Sequence, residues 1–379
     1  MTLTKPLIFD AHLDLAMNAV MYDRDQLLSV AALRQREVAM KGKSRGSCTV
    51  SLPAMRESQV GICLATVLAR ALPDTLPPTT LTGVSTLQQR LRAPVILREH
   101  LDHANQTIAS AAAQAQLAYY RLLEEAGEVQ LILTASDLRQ LHERWTKGDA
   151  TAPVGIILSM EGADPIVNVA HADWWWEQGL RTLCLAHYGA SAYAMGTGGD
   201  GPLTAEGRKL VKAMDRLGIV LDLVHTADTA LDEALELYSG PVFVSHGNCR
   251  SLVEADRQIS DAQIVAIAKR GGVLGIVLDA WMLVPNYSIE KGKGSTLPID
   301  VVVDHIDHIC QVTGSVDHVG IGSDLDGGFG TEQTPDELDT IGDLHRLLPI
   351  LSQRGYTDAE VSKIFSGNWM RFFTEALPE

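Results

Sequence analysis

Thr204-Ala-Glu-Gly-Arg208 leads through Met214-Asp-Arg-Leu-Gly218 into Ile219-Val-Leu-Asp-Leu-Val-His225, and the chain then repeats the pattern, passing from Ala227 to Tyr238 into Pro241-Val-Phe-Val-Ser-His246. Thr204 offers a side-chain oxygen to the free amides of a first helical turn, and Gly218 stops that helix. Each time, a short and nearly wholly apolar run follows and ends on a histidine. Such runs suit strands buried on both faces, and their alternation with segments of helical period marks parallel strands joined by crossover helices.

Outward from this stretch the same unit recurs until eight strand runs are found, at 7–12, 60–68, 154–160, 182–187, 219–225, 242–246, 273–278 and 318–323. Further helices are expected over 104–126, with Gly127 as the stop, and over 260–270, with Ser260 as the cap. Eight strand-helix units imply a closed (β/α)8 TIM barrel of the α/β class. The whole chain, 1–379, reads as one barrel domain with loop insertions at about 15–58 and 70–103, after strands one and two. A shorter irregular stretch at 281–298 follows strand seven and reads as a lid.

Composition agrees with a large folded core: 379 residues, of which 46% are hydrophobic and 21% charged, exclude disorder and a disulfide scaffold. A net charge of −16, from 47 acidic against 31 basic residues, opposes a polyanionic surface, so nucleic acid is not expected as a partner. The five cysteines form no CxxC pair and suggest no thiolate metal site. The N-terminal residues lack the regions of a signal peptide and no apolar run reaches membrane-spanning length, which leads to the expectation of a soluble, cytoplasmic protein with no membrane partner.

The chemistry is read from position. His12, Glu161, His187, His225, His246 and Asp324 each fall at or just beyond the C-terminal end of an expected strand, and in a barrel those ends converge on one mouth. His12 and Asp14 are two apart, so strand alternation points both toward one cation. His225 and His246 end consecutive strands and supply neutral imidazoles for a second cation, with Glu161 able to bridge through its two oxygens. Two zinc ions are the natural expectation, manganese or cobalt the alternatives. Two metals would lower the pKa of a shared water and polarise a scissile carbonyl, leaving Asp324 to take the proton and return it to the leaving amine, with Asp326 as its rival.

Other features are set aside on physical grounds. Gly196-Thr-Gly-Gly-Asp-Gly201 does not join a strand directly to a helix as a dinucleotide fingerprint does, and reads as a flexible rim loop. His305 and His308 share a helix face remote from the strand ends and read as solvated. Trp174, Trp175 and Trp176 read as helix packing.

Taken together, Asp10-Ala-His-Leu-Asp14, Ser159-Met-Glu-Gly162, Leu183-Cys-Leu-Ala-His187, Met214 to His225, Pro241 to His246, Gly320-Ile-Gly-Ser-Asp-Leu-Asp-Gly327 and Gly367-Asn-Trp-Met-Arg371 resemble the renal or membrane dipeptidase family of the amidohydrolase superfamily. The resemblance implies a metal-dependent hydrolase barrel in which His12 and Asp14 bind one zinc, His225 and His246 bind the other, and Glu161 bridges them. It further implies that His187 contacts the substrate and stabilises the tetrahedral intermediate, that Asp324 is the acid-base residue, and that Arg257 grips the substrate's terminal carboxylate. The implied reaction is hydrolysis of a dipeptide, with a D-residue tolerated at the C-terminal position.

Two departures from the family pattern concern the pocket wall: Glu161-Gly-Ala-Asp-Pro165 replaces Glu-Gly-Gly-His, and 188–202 differs from animal members. Animal members also carry a signal peptide and a lipid-anchor signal, features not seen here, which suggests a bacterial cytoplasmic relative. The alternatives are a lactonase-like binuclear hydrolase and a catalytically silent metabolite-binding barrel. Lactonase-type sites often bridge through a carbamylated lysine, and no lysine lies at an expected strand end. A homodimer is expected only by analogy with other barrels.

Overall fold

The computed structural model describes residues 5–71, 101–287 and 297–379. Eight strands form the barrel: β1 (Ile8–Leu13), β2 (Val60–Val67), β3 (Val154–Met160), β4 (Thr182–Cys184), β5 (Val220–Asp222), β6 (Val242–Phe243), β7 (Leu274–Ile276) and β8 (Val319–Ile321). Seven lie within the stretches expected from apolar runs, and β1 runs one residue past its stretch, to Leu13. They pair in parallel in the order β7-β8-β1-β2-β3-β4-β5-β6. The ring shuts where Val244 bridges Leu274, with the Val244 amide 3.0 Å from the Val273 carbonyl and the Gly275 amide 2.8 Å from the Val244 carbonyl. Backbones crowd at this seam: a Cβ on either Gly275 or Gly322 would lie 1.9 Å from the Ser245 carbonyl oxygen. Only glycine fits there.

One pairing was not foreseen. The short strand Val129–Leu131 runs parallel beside the first half of β3, while β4 takes up the second half, from Ser159 onward. Three residues are too few to announce a strand by alternation.

Helices cover the ring where period and caps place them: Gln106–Glu125, Ala205–Leu217, Asp228–Leu237 and Asp261–Lys269. The Thr204 hydroxyl accepts from the Gly207 amide, and Ser260 with Gln263 makes a reciprocal capping box. The final helix, Asn368–Ala376, stoppers the end of the barrel opposite the strand C-termini. Its Phe373 stacks on Phe9 of β1 and its Trp369 indole donates to the Ile321 carbonyl at 2.9 Å. Trp175 is fully buried and Trp176 stacks on the Arg181 guanidinium, so the tryptophan triplet is packing.

The solvated reading of His305 fails. Its ring is buried, with Nδ1 accepting from the Cys249 amide at 3.1 Å and Nε2 3.2 Å from the Leu283 carbonyl oxygen. It ties the segment after β6 to the helix Asp300–Thr313. His308 alone is partly exposed and pairs with Asp261 at 2.8 Å.

Within the first insertion lie three helices, Leu15–Tyr22, Val30–Glu37 and Leu52–Glu57. Buried Arg24 clasps Glu37 at 2.9 Å, and Asp326 fastens the segment to the loop after β8. Of the second insertion, Arg70–Ala71 pairs in parallel with Asp102–His103; residues 72–100 lie outside the described residues. So do residues 288–296, half of the proposed lid, whose described part begins within the short helix Ala280–Leu283.

Candidate active site

The six side chains expected to converge do so at the C-terminal mouth of the barrel. Glu161, just past β3, is the hub: its Oε2 lies 3.6 Å from His12 Nε2, while its Oε1 lies 3.1 Å from His225 Nε2, 3.4 Å from His246 Nε2 and 3.6 Å from His187 Nε2. His12 Nε2 is also 3.7 Å from Asp14 and 3.6 Å from Asp324. Two of these site residues, His225 and Asp324, hold φ of 58°, a left-handed backbone that non-glycine residues adopt at a cost of order 1 kcal/mol or more. The strand ends turn sharply there, which swings both side chains inward.

Most of these contacts are too long for good hydrogen bonds and too short for indifference. His12 Nε2 is buried and has no hydrogen-bond partner, although three carboxylates surround it. A ring nitrogen held without a hydrogen-bond partner at the centre of an acidic ring suits a cation's place, and the ligand-type atoms of His12, Asp14 and Glu161 all lie within 4.8 Å of one another. The second nitrogens are held from outside: Thr197 Oγ1 is 3.0 Å from His225 Nδ1, and Ser245 Oγ is 2.9 Å from His246 Nδ1. A hydroxyl that accepts Nδ1–H leaves the Nε2 lone pair pointing into the site, as metal ligation requires. The Thr66 hydroxyl donates to Asp14 Oδ1 and so orients that carboxylate as well.

Electrostatics follow from burial. It pushes His225, His246 and His187 well below the ordinary imidazole range, with nearby Arg257 reinforcing the effect, so these rings are neutral. Burial alone would lower His12 too, but Glu161, Asp14 and Asp324 raise it to about 10. Burial raises Glu161 to about 8 and Asp324 well above the usual carboxylate range, each partly offset by His12. An excess of carboxylates in a dry pocket thus draws positive charge in.

Asp326 is not a rival to Asp324. Its Oδ1 accepts from the Thr49 amide and hydroxyl at 2.7 and 2.8 Å, and its Oδ2 from the Val50 amide at 3.1 Å, which makes it a fastener for the first insertion. The glycine run is no loose rim loop either. Thr197 donates its amide to the His187 carbonyl at 3.0 Å, and a Cβ on Gly196 would lie 1.9 Å from that same oxygen. Sequence reasoning discarded the run as a phosphate loop and so missed Thr197. Ser245 was also missed, as were Arg70 behind His187 and Asp279 in the cavity wall.

Arg257 is buried, donates one nitrogen to the His246 carbonyl at 3.0 Å, and leaves its NH1 group without a hydrogen-bond partner on the cavity wall. Across the cavity, Asp279 accepts from the Trp281 indole at 2.6 Å and from the Gln333 amide at 2.5 Å. Burial pushes its carboxyl up to about 6. Lys43, Tyr188 and Phe329 also line the wall.

An eight-stranded parallel barrel whose mouth gathers histidines around a central carboxylate is a barrel of the metal-dependent hydrolase type. Residues 2–377 match the profile of the membrane dipeptidase family, peptidase family M19. The chain belongs to that family. It is 29% identical over 223 residues to an uncharacterized dipeptidase of Schizosaccharomyces pombe, covering 57% of this chain and 52% of that protein. It is also 31% identical over 173 residues to mouse dipeptidase 3, covering 46% of this chain and 33% of the mouse protein. The matches thus span about half or less of these two relatives. Among solved structures, a metallopeptidase described as dipeptidase AC of family M19 superposes with a TM-score of 0.75 at 22% identity, covering 99% of this chain and 100% of that one. A metallopeptidase of Rhodobacter sphaeroides, solved with a phosphinate mimic of L-Ala-D-Ala, gives 0.73 at 23%, covering 98% and 99%. Among the described residues, no helix is long and apolar enough to cross a membrane.

Proposed function

We propose that this chain hydrolyses the peptide bond of dipeptides with two divalent cations, zinc in the first instance. His12 and Asp14 would hold one, His225 and His246 the other, and Glu161 would bridge. The observation that carries this reading is the division of labour on Glu161, whose Oε2 faces His12 while its Oε1 faces His225 and His246. Bound cations would acidify a water and polarise the scissile carbonyl.

The chain's own residues supply the remaining steps. Arg257, with a buried and unpartnered NH1, would pair with the substrate's terminal carboxylate. His187 would donate from Nε2 to the carbonyl oxygen as negative charge builds on it. Asp324, largely enclosed in an acidic setting, would take a proton from water and pass it to the leaving amine. The Rhodobacter ligand extends the proposal to a D-residue at the C-terminal position. A continuous apolar core from Leu7 to Leu377 supports a single barrel domain.

Metal analysis of the purified protein, combined with a panel of L-L and L-D dipeptides, tests the proposal. Two metals per chain with cleavage of a dipeptide are expected. Two metals with no cleavage across the panel would overturn it.

A further inference from the structure

By distance alone, Glu161, His187 and His225 could hold a cation, since their ligand atoms lie within 4.8 Å of one another. What separates His187 from the other imidazoles stands behind it. Arg70, three residues past the end of β2 and buried, places NH1 3.2 Å from His187 Nδ1. A guanidinium has only donors and stays charged. The nitrogen it meets must therefore be the acceptor, and a neutral imidazole that accepts at Nδ1 carries its proton on Nε2. His225 and His246 meet hydroxyls at Nδ1 instead, and a hydroxyl can accept from Nδ1–H.

The guanidinium is itself fixed. Its NH2 pairs with Asp102 at 2.9 Å across the two-stranded pairing of Arg70 with Asp102. The next amide, that of Ala71, donates to Asp164 Oδ2 at 3.0 Å, and Asp164 Oδ1 holds Ser191 and Ala192 of the loop after β4. Asp164 is one of the two residues, with Ala163, at which Glu161-Gly-Ala-Asp-Pro165 departs from the family pattern. The departure and Arg70 thus belong to one bracket behind His187.

We propose that Arg70 is a positioning residue that locks His187 in its Nε2–H tautomer, which removes His187 from the metal-ligand set and commits it to donate a hydrogen bond to the substrate. This rests on the reading of His187 given under Proposed function. A ring free to present a bare Nε2 would compete for a cation and offer the substrate's oxygen no donor. Arg70 closes that route without touching substrate or metal.

The first test is nitrogen NMR of the zinc-loaded, histidine-labelled protein, with His187→Gln to identify the signal. His187 is expected to show protonated Nε2 and bare Nδ1, the reverse of His225 and His246. A protonated Nδ1 would overturn the proposal whatever the enzyme does. The second test is Arg70→Met against Arg70→Lys on a cleaved dipeptide. Loss of one donor to a developing oxyanion costs about 100-fold or more, and partial loss of tautomer control is expected to lower kcat by about 10- to 100-fold. KM should change less than about 3-fold and two metals should remain bound, while lysine, which keeps a cationic donor, should recover most of kcat. An unchanged kcat in Arg70→Met would refute the role. If the wild type cleaves no dipeptide, the proposed function falls, and the NMR result still decides the tautomer.

Discussion

Thr197→Val isolates the contribution of a residue that touches no proposed ligand atom. The hydroxyl lies 3.0 Å from His225 Nδ1 and 3.5 Å from the His225 carbonyl oxygen, a geometry in which it can accept from the ring and donate weakly to the backbone. Valine keeps the shape and the β-branch. The loop should also stay in place, because the Thr197 amide and carbonyl are bonded to the His187 carbonyl and the Gly189 amide at 3.0 and 2.9 Å. What is lost is one acceptor for a buried imidazole N–H. A buried donor left unsatisfied costs about 1 to 3 kcal/mol, which is about 5- to 150-fold in an equilibrium constant, and partners of metal-bound histidines commonly carry about 10- to 100-fold of metal affinity. The loss falls on one of the two proposed cations, the one held by His225 and His246, and Ser245→Ala should weaken that same cation through His246. Competition with a graded chelator, read as two dissociation constants, measures this directly. If Thr197→Val leaves both constants within about 2-fold of wild type, or weakens the cation assigned to His12 and Asp14, the division of ligands argued from Glu161 is wrong.

Three further outcomes follow from the same geometry. Arg257→Met should raise KM for a dipeptide and lower kcat/KM by about 10- to 100-fold, since a charged hydrogen bond contributes about 1.5 to 3 kcal/mol; a substrate amidated at its C-terminus should lose far less, and equal losses on both would refute carboxylate capture. Asp326→Asn and Asp324→Asn should separate stability from chemistry. The first disrupts buried bonds to Thr49 and Val50 and removes the charge beside Arg24, at an expected cost of about 2 to 4 kcal/mol in urea unfolding; the second should abolish turnover with stability nearly unchanged. Asp279 titrates at about 6 when folded against an ordinary 3.8, so its stabilising contribution is present below the lower value and lost as pH rises through the higher. Between about pH 5 and about pH 8 the metal-free wild type should therefore lose about 1 to 2 kcal/mol relative to Asp279→Asn, and a difference that does not change with pH would contradict the buried carboxyl.

The sequence made the barrel legible because its strands are buried on both faces and its helices are punctuated. Gly218 and Gly127 are left-handed stops, and Thr204 and Ser260 are caps. The central site was legible for a related reason. Strand ends are fixed by the apolar runs, and a barrel sends all of them to one mouth, so His12, Glu161, His187, His225, His246 and Asp324 could be brought together by topology without any contact being known. Where a residue's role depended on which neighbour lay behind it, the same reasoning had nothing to work with. Asp324 and Asp326 are chemically identical and two apart; only Thr49 and Val50, from a distant insertion, tell them apart. His305 looked solvated because its partners, Cys249 and Leu283, come from other parts of the chain.

The same limit explains why the proposed ligands were visible and their supports were not. A ligand must be histidine or carboxylate and must sit at the mouth, two constraints that a single chain displays. A support need only present a donor or an acceptor to the back of a ring, and threonine, serine and arginine do so from whichever segment packs there. In Thr197 that segment is a glycine run, whose glycines serve the approach of Gly196 to the His187 carbonyl rather than any phosphate. In Arg70 it is the two-residue strand that follows β2. The three imidazoles facing Glu161 Oε1 are alike in burial and in distance, and the partner at Nδ1 is what distinguishes them: hydroxyls behind His225 and His246, a guanidinium behind His187. Assignment of a histidine as ligand or hydrogen-bond donor is therefore decided one shell out from the chemistry, where spacing along the chain carries no information.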